Sequence, residues 1–141
     1  MKVKTVRFGE LEYKEKDVLT FSKGIIGFSS EHQFILLSKV IEAPFMWLQS
    51  LKTPDLAFVV LDPWIVLPDY QFELTEEVKK RLKITRKEQV MTLGITVVSD
   101  NPRKITINLR APLIINVENR LGEQIILPDD KYSIRHPILT G

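Results

Sequence analysis

The sequence predicts an all-β (mainly β), single-domain protein over residues 1–141, an antiparallel barrel or sandwich with one short helix near 75–83. Three observations predict this. Short apolar runs recur at close spacing along the chain. Turn formers, among them Gly24, Gly27, Pro54, Pro63, Pro68 and Pro112, separate them. Only one segment has helical period.

Met1–Arg7 alternates apolar and polar residues, which marks a strand with one buried face. Leu11–Tyr13 and Val18–Phe21 are strand-like, and Gly24 and Gly27 then bracket a turn that can take positive φ twice. Phe34–Val40, Phe45–Leu51 and Ala57–Leu61 are the next three strands. Between Pro63 and Pro68, Trp64–Leu67 is at best a short edge segment, and Tyr70–Leu74 alternates as a further strand. The helix is Thr75–Leu82: Thr75 is a good N-cap, Glu76 and Glu77 occupy the first turn, and Lys79, Lys80 and Arg81 the last. Val78 and Leu82 lie four apart and give it one narrow apolar face. Thr85–Glu88 is a single turn. Val90–Val98, Lys104–Leu109, Leu113–Val117 and Gln124–Leu127 complete the strands, and the polar tail from Asp129 to Pro137 lies over the surface or beyond the last strand.

A chain of 141 residues can bury a core without disulfide or metal support. Twenty basic against 18 acidic residues leave a net charge of +2, with both signs interspersed. That balance argues against direct nucleic-acid binding, which concentrates positive charge on one face. The chain has no cysteine, so disulfides, thiolate metal sites and cysteine nucleophiles are excluded, in keeping with a reducing compartment. No stretch of about 20 apolar residues is present, so the expectation is a cytoplasmic protein without membrane contact.

Groups that could carry chemistry are few. His32 and His136 lie in polar connections, and two scattered histidines without cysteine make a poor start for a metal site. Glu76-Glu77 belongs to the helix start and Asp129-Asp130 to a solvated turn. Neither pair has the apolar setting that would raise one carboxyl for general-acid work. Lys23-Gly-Ile-Ile-Gly27 lacks the spacing of a phosphate loop. No catalytic residue, metal or cofactor is therefore expected. What stands out is polar but unreactive. In Ile105–Val117, Ile105, Ile107 and Leu109 alternate with Asn108 and Arg110, Pro112 breaks the ladder, and Asn116 ends the next apolar run. In Phe45–Ser50, Phe45, Trp47 and Gln49 share one face, and Met46, Leu48 and Ser50 the other. Amides and an arginine beside apolar anchors are the mixture of recognition surfaces. The candidate partner-binding residues are accordingly Phe45, Trp47, Gln49, Asn108, Arg110, Pro112 and Asn116. A structural role stays open beside each: core filling for Trp47, turns for Asn108 and Asn116, a bulge at Pro112.

Several pieces in order resemble one family. They are Phe21-Ser-Lys-Gly-Ile-Ile-Gly-Phe28, Phe34–Leu37, Pro44-Phe45, Leu48-Gln-Ser50, Pro54-Asp-Leu-Ala-Phe58, Pro68–Phe72, Asn108-Leu-Arg-Ala-Pro112, Asn116, Gly122–Leu127 and Tyr132–Pro137. Together they are similar to the bacterial flagellar assembly factor FliW family, nearly end to end. The resemblance implies a compact antiparallel β-barrel-like fold and a cytoplasmic, non-enzymatic protein, monomeric when free. It implies two competing partners: flagellin, held through its C-terminal region, and the homodimeric translational repressor CsrA. Released from flagellin, such a protein binds CsrA and frees the flagellin message. Several members of the family are acidic, whereas this chain is +2, so charge complementarity to a basic partner must come from a local patch. The alternative is a small β-barrel enzyme or ligand carrier, which requires a deep pocket with a titratable group.

Overall fold

The computed structural model describes residues 1–38, 44–128 and 130–138. The end of the predicted strand Phe34–Val40, together with Asp129, lies outside the described residues. Eleven strands and two α-helices occur among the described residues, in the order β1 Lys2–Thr5, β2 Gly9–Glu12, β3 Leu19–Phe21, β4 Gln33–Leu37, β5 Met46–Ser50, β6 Ala57–Leu61, α1 Pro63–Val66, α2 Glu76–Leu82, β7 Val90–Val97, β8 Thr106–Ile107, β9 Leu113–Asn116, β10 Leu121–Gln124 and β11 His136–Pro137.

Seven of these strands close a barrel: β3 pairs with β4, then β5, β6, β7, β9 and β10 follow, and β10 returns to β3. Six junctions are antiparallel, as predicted, but β10 and β3 run parallel, with Leu121 opposite Thr20 and Gly122 opposite Phe21. The parity of the ring requires this, because an odd number of strands cannot alternate direction all the way round. Gly122 permits the closure, since a Cβ there would lie 2.6 Å from Phe21 Cζ. The long β7 pairs with β9 over Val90–Leu93, then with β6 at Gly94 and Ile95, then with β8 at Thr96 and Val97. β1 and β2 form a separate hairpin.

The barrel interior is filled by Leu19, Phe21, Phe34, Leu48, Val60, Leu93, Leu113 and Ile115, all at most 1% exposed. On its outside, α2 sets Val78 and Leu82 against Ile114 of β9. Leu113 and Ile115 thus point inward and Ile114 outward, and both faces of β9 are covered. This explains an apolar run without alternation. A further cluster, Leu61, Tyr70, Ile107, Leu109, Leu127 and Tyr132, packs beneath the chain that links β6 to α2.

Four expectations are corrected. Trp64–Leu67 is no edge segment but falls mostly in the one-turn helix α1, because Asp62 caps the Trp64 N–H (2.9 Å) and Pro63 supplies the first helical φ. Tyr70–Leu74 belongs to no sheet. Of Lys104–Leu109 only Thr106 and Ile107 pair, since Pro102–Lys104 coils into a 3-10 turn. The tail does not merely lie over the surface: Tyr132 enters the core and His136–Pro137 pairs with β8.

Candidate functional site

On β5 the predicted division of faces is observed. Leu48 points into the barrel with Met46 against the same cluster, and Phe45 packs instead against the outer cluster around Tyr70. Trp47 is half-buried, because the β1–β2 hairpin lies on it. Phe8 meets its ring edge-on at 5.7 Å, and the Arg7 guanidinium stands 4.9 Å from the ring centroid. Gln49 has no exposed surface. Its Nε2 donates to the carbonyls of Ser50 (3.0 Å) and Leu56 (3.1 Å), tying down the β5–β6 turn, while Oε1 is buried with no protein donor. Ser50 and Thr53 in that turn donate to the two oxygens of buried Glu31, each at 2.5 Å. Burial pushes the Glu31 carboxyl up. The two hydroxyls, with Lys52 and His32, outweigh that and hold it below the usual range.

The second group lies across the barrel, with β6 and β7 between β5 and β9. Asn108 Oδ1 accepts from the N–H groups of Arg110 (3.1 Å) and Ala111 (2.9 Å) and shapes the bend before β9. Pro112 is buried. Asn116 is fully buried, and its Nδ2 donates to the Leu82 carbonyl (2.9 Å) at the end of α2 while Oδ1 accepts from the Glu118 N–H (3.0 Å). Arg110 differs from its neighbours. It is half-buried, its Nε is buried without a protein acceptor, and its guanidinium makes no ion pair among the described residues.

A further concavity lies between α1, the chain leading into α2, and the start of β7. This cleft of about 570 Å³ has Trp64, Phe72, Leu74, Ile84 and Val90 in its lining and Lys79, Arg86 and Lys87 as its charged residues. Trp64 is fixed by donation from Nε1 to the Tyr70 carbonyl (2.6 Å) and stacks on Phe72 at 6.3 Å. Tyr70 is held in turn by its hydroxyl, which donates to the Leu109 carbonyl (2.6 Å). Burial, reinforced by Tyr132, raises the phenol pKa well above its ordinary value, so it stays a donor. On the far wall, Lys83 takes a left-handed conformation (φ 56°) and ends α2, and the Ile84 N–H returns to the Lys79 carbonyl (2.8 Å). Gln89 accepts from the N–H groups of Thr85 (2.7 Å) and Arg86 (3.0 Å), and Arg86 pairs with Glu118.

Residues 2–138 match the family model of the FliW protein. The chain belongs to the FliW family. It is 46% identical over 140 residues to the flagellar assembly factor FliW of Caldanaerobacter subterraneus subsp. tengcongensis, covering 99% of this chain and 93% of that one. To the FliW of Bdellovibrio bacteriovorus it is 39% identical over 140 residues, covering 99% and 80%. A crystal structure of the flagellar assembly factor FliW superposes with a TM-score of 0.93 at 39% identity, over 100% of this chain and 99% of that chain.

Within this FliW fold the seven predicted residues do not form one patch. Gln49, Pro112 and Asn116 are buried, and the hydrogen bonds of Gln49 and Asn116 hold local backbone. Asn108 bonds its own turn, and Phe45, Trp47 and Arg110 keep partial exposure. Sequence reasoning passed over the cleft. The available signal was Asp62-Pro63, a helix start that sets Trp64 on the surface. His32 is exposed and its Nδ1 lies 3.0 Å from the Phe21 carbonyl, while His136 is half-buried on β11. Among the described residues no cluster of His, Asp or Glu has metal-binding geometry. Nor is any helix there long and apolar enough to cross a membrane.

Proposed function

We propose that this protein is a cytoplasmic, non-enzymatic flagellar assembly factor that holds flagellin through its C-terminal region. When flagellin is drained by export, the freed protein binds the CsrA homodimer and lifts its repression of the flagellin message. The observation that carries this reading is FliW family membership over nearly the whole chain. The barrel interior adds support, since side chains fill the space a β-barrel carrier would keep for a ligand. With mutually exclusive partners, repressor activity follows the free flagellin pool by linkage.

For direct contacts the geometry favours Arg110, Trp47 and Phe45, which keep accessible surface, over Pro112, which is buried, and over Gln49 and Asn116, whose side chains hold local backbone. The test is a competitive titration of flagellin against a preformed complex with CsrA. Displacement of CsrA is the expected outcome, and a stable ternary complex would refute the exchange.

A further inference from the structure

The chain entering α2 has an unusual backbone. Gln71 is anchored, its N–H donating to the Tyr132 hydroxyl (3.0 Å), and that hydroxyl donates back to the Gln71 carbonyl (3.1 Å). Thr75 is anchored as the cap of α2. Between them, the N–H and C=O groups of Phe72, Glu73 and Leu74 have no hydrogen-bond partner among the described residues, and the segment belongs to no sheet. Natural proteins usually pair or cover such a strip of backbone. Here it borders the cleft beside Trp64, Ile84 and Val90. Across the cleft, β6 reaches β7 only at Gly94 and Ile95, so Val90–Leu93 has a strand partner on the β9 side alone.

We infer that Phe72–Leu74 is a docking edge on which an extended, acidic segment of a protein partner adds as a strand, with an apolar side chain seated in the cleft. Unpaired backbone specifies an extended occupant, because strand addition satisfies those groups and helix docking does not. The floor of Trp64, Phe72 and Ile84 specifies an apolar anchor. The charged groups lining the cleft are all cationic, Lys79, Arg86 and Lys87, which selects carboxylates beside that anchor and disfavours a basic surface. Arg86 is partly neutralised by Glu118 and Lys79 by Glu76 at 3.4 Å, whereas Lys87 has no carboxylate partner among the described residues. The inference rests on the reading of this chain as a flagellin-binding factor and assigns the cleft to an acidic segment of flagellin.

The peptide titrations use the full chain carrying Trp47→Phe, so that Trp64 is its single tryptophan, and flagellin capture uses the chain with both tryptophans. The probe is a 12-residue synthetic peptide with a central Leu-Ser-Phe flanked by glutamates, set against the same peptide flanked by lysines. Expected are a Trp64 emission shift with the glutamate peptide, affinity about tenfold or more above that of the lysine peptide, and slowed amide exchange at Phe72, Glu73 and Leu74. Lys79→Glu combined with Lys87→Glu is expected to weaken binding by about tenfold or more. Glu73→Pro removes one free N–H and is expected to weaken it where Glu73→Ala does not. Equal binding of both peptides, binding without protection of those amides, or no binding would overturn the inference. So would flagellin capture that the Lys79→Glu, Lys87→Glu variant leaves unchanged, which would leave the flagellin reading standing. A wild-type chain that captures neither flagellin nor CsrA would instead refute the functional reading.

Discussion

Asn116, Glu31 and Arg110 show three different uses of a polar side chain in a small barrel. Asn116 is spent internally, joining the end of α2 to the turn after β9. Asn116→Ala removes the donor shared by the Leu82 and Lys83 carbonyls and the acceptor of the Glu118 N–H, with Asn119 Nδ2 still donating to the Leu82 carbonyl (3.0 Å), and is expected to cost about 1–3 kcal/mol, measurable by urea denaturation. Glu31 is a buried carboxylate kept charged by two hydroxyl donors. Its folded pKa lies below the unfolded value of about 4.5. The unfolded state therefore takes up its proton first as pH falls, so the stabilisation is complete well above 4.5 and is lost as pH drops through the folded pKa. Glu31→Gln should melt at lower temperature than wild type at pH 7, and the gap should narrow below about pH 4. A gap that stays constant from pH 7 to pH 3 would contradict this. The Arg110 guanidinium has no hydrogen-bond or ion-pair partner among the described residues. Arg110→Ala is expected to change stability by less than about 1 kcal/mol while weakening capture of flagellin or CsrA. An unaltered affinity for both would remove Arg110 from the contact surface.

At the scale of elements, the contrast between β9 and α1 shows what a sequence displays. The α2 helix was legible because capping, charge order and the Val78–Leu82 spacing agree. Strand β9 was legible as a run, but not the division of its side chains between barrel and helix, because burial on both faces erases alternation. Helix α1 was missed because a single turn offers no periodicity, and its only mark, Asp62-Pro63, also fits a turn. Asp62→Ala should lower stability by about 1 kcal/mol and, by loosening Trp64, shift its emission. The site was less legible than the fold. Residue type singles out Asn108 and Asn116 equally whether they bond a partner or their own backbone, and free backbone at Phe72–Leu74 leaves no trace in the side chains. Gly122→Ala tests the barrel junction: with Phe21 in the way, a methyl group should cost about 1–3 kcal/mol by overpacking, read as a lower denaturant midpoint.

For the whole molecule, the filled interior makes the seven-stranded ring one continuous core. The β1–β2 hairpin rests on that ring through Val6, Arg7 and Phe8, whereas the ring itself is closed by pairings distant in sequence. The parallel junction of β10 with β3 sets Leu121 beside Thr20 and Gly122 beside Phe21. A nascent chain therefore cannot complete its ring until β10 has left the ribosome. Until then β3 and β7 each expose an unfilled edge, and the core around Phe21 is open to water. A chain stopped after Ala111 lacks both β9 and β10 and is expected to show no cooperative unfolding transition. A product that stops short of β10 is then inert, so active protein comes only from chains that have passed Gln124.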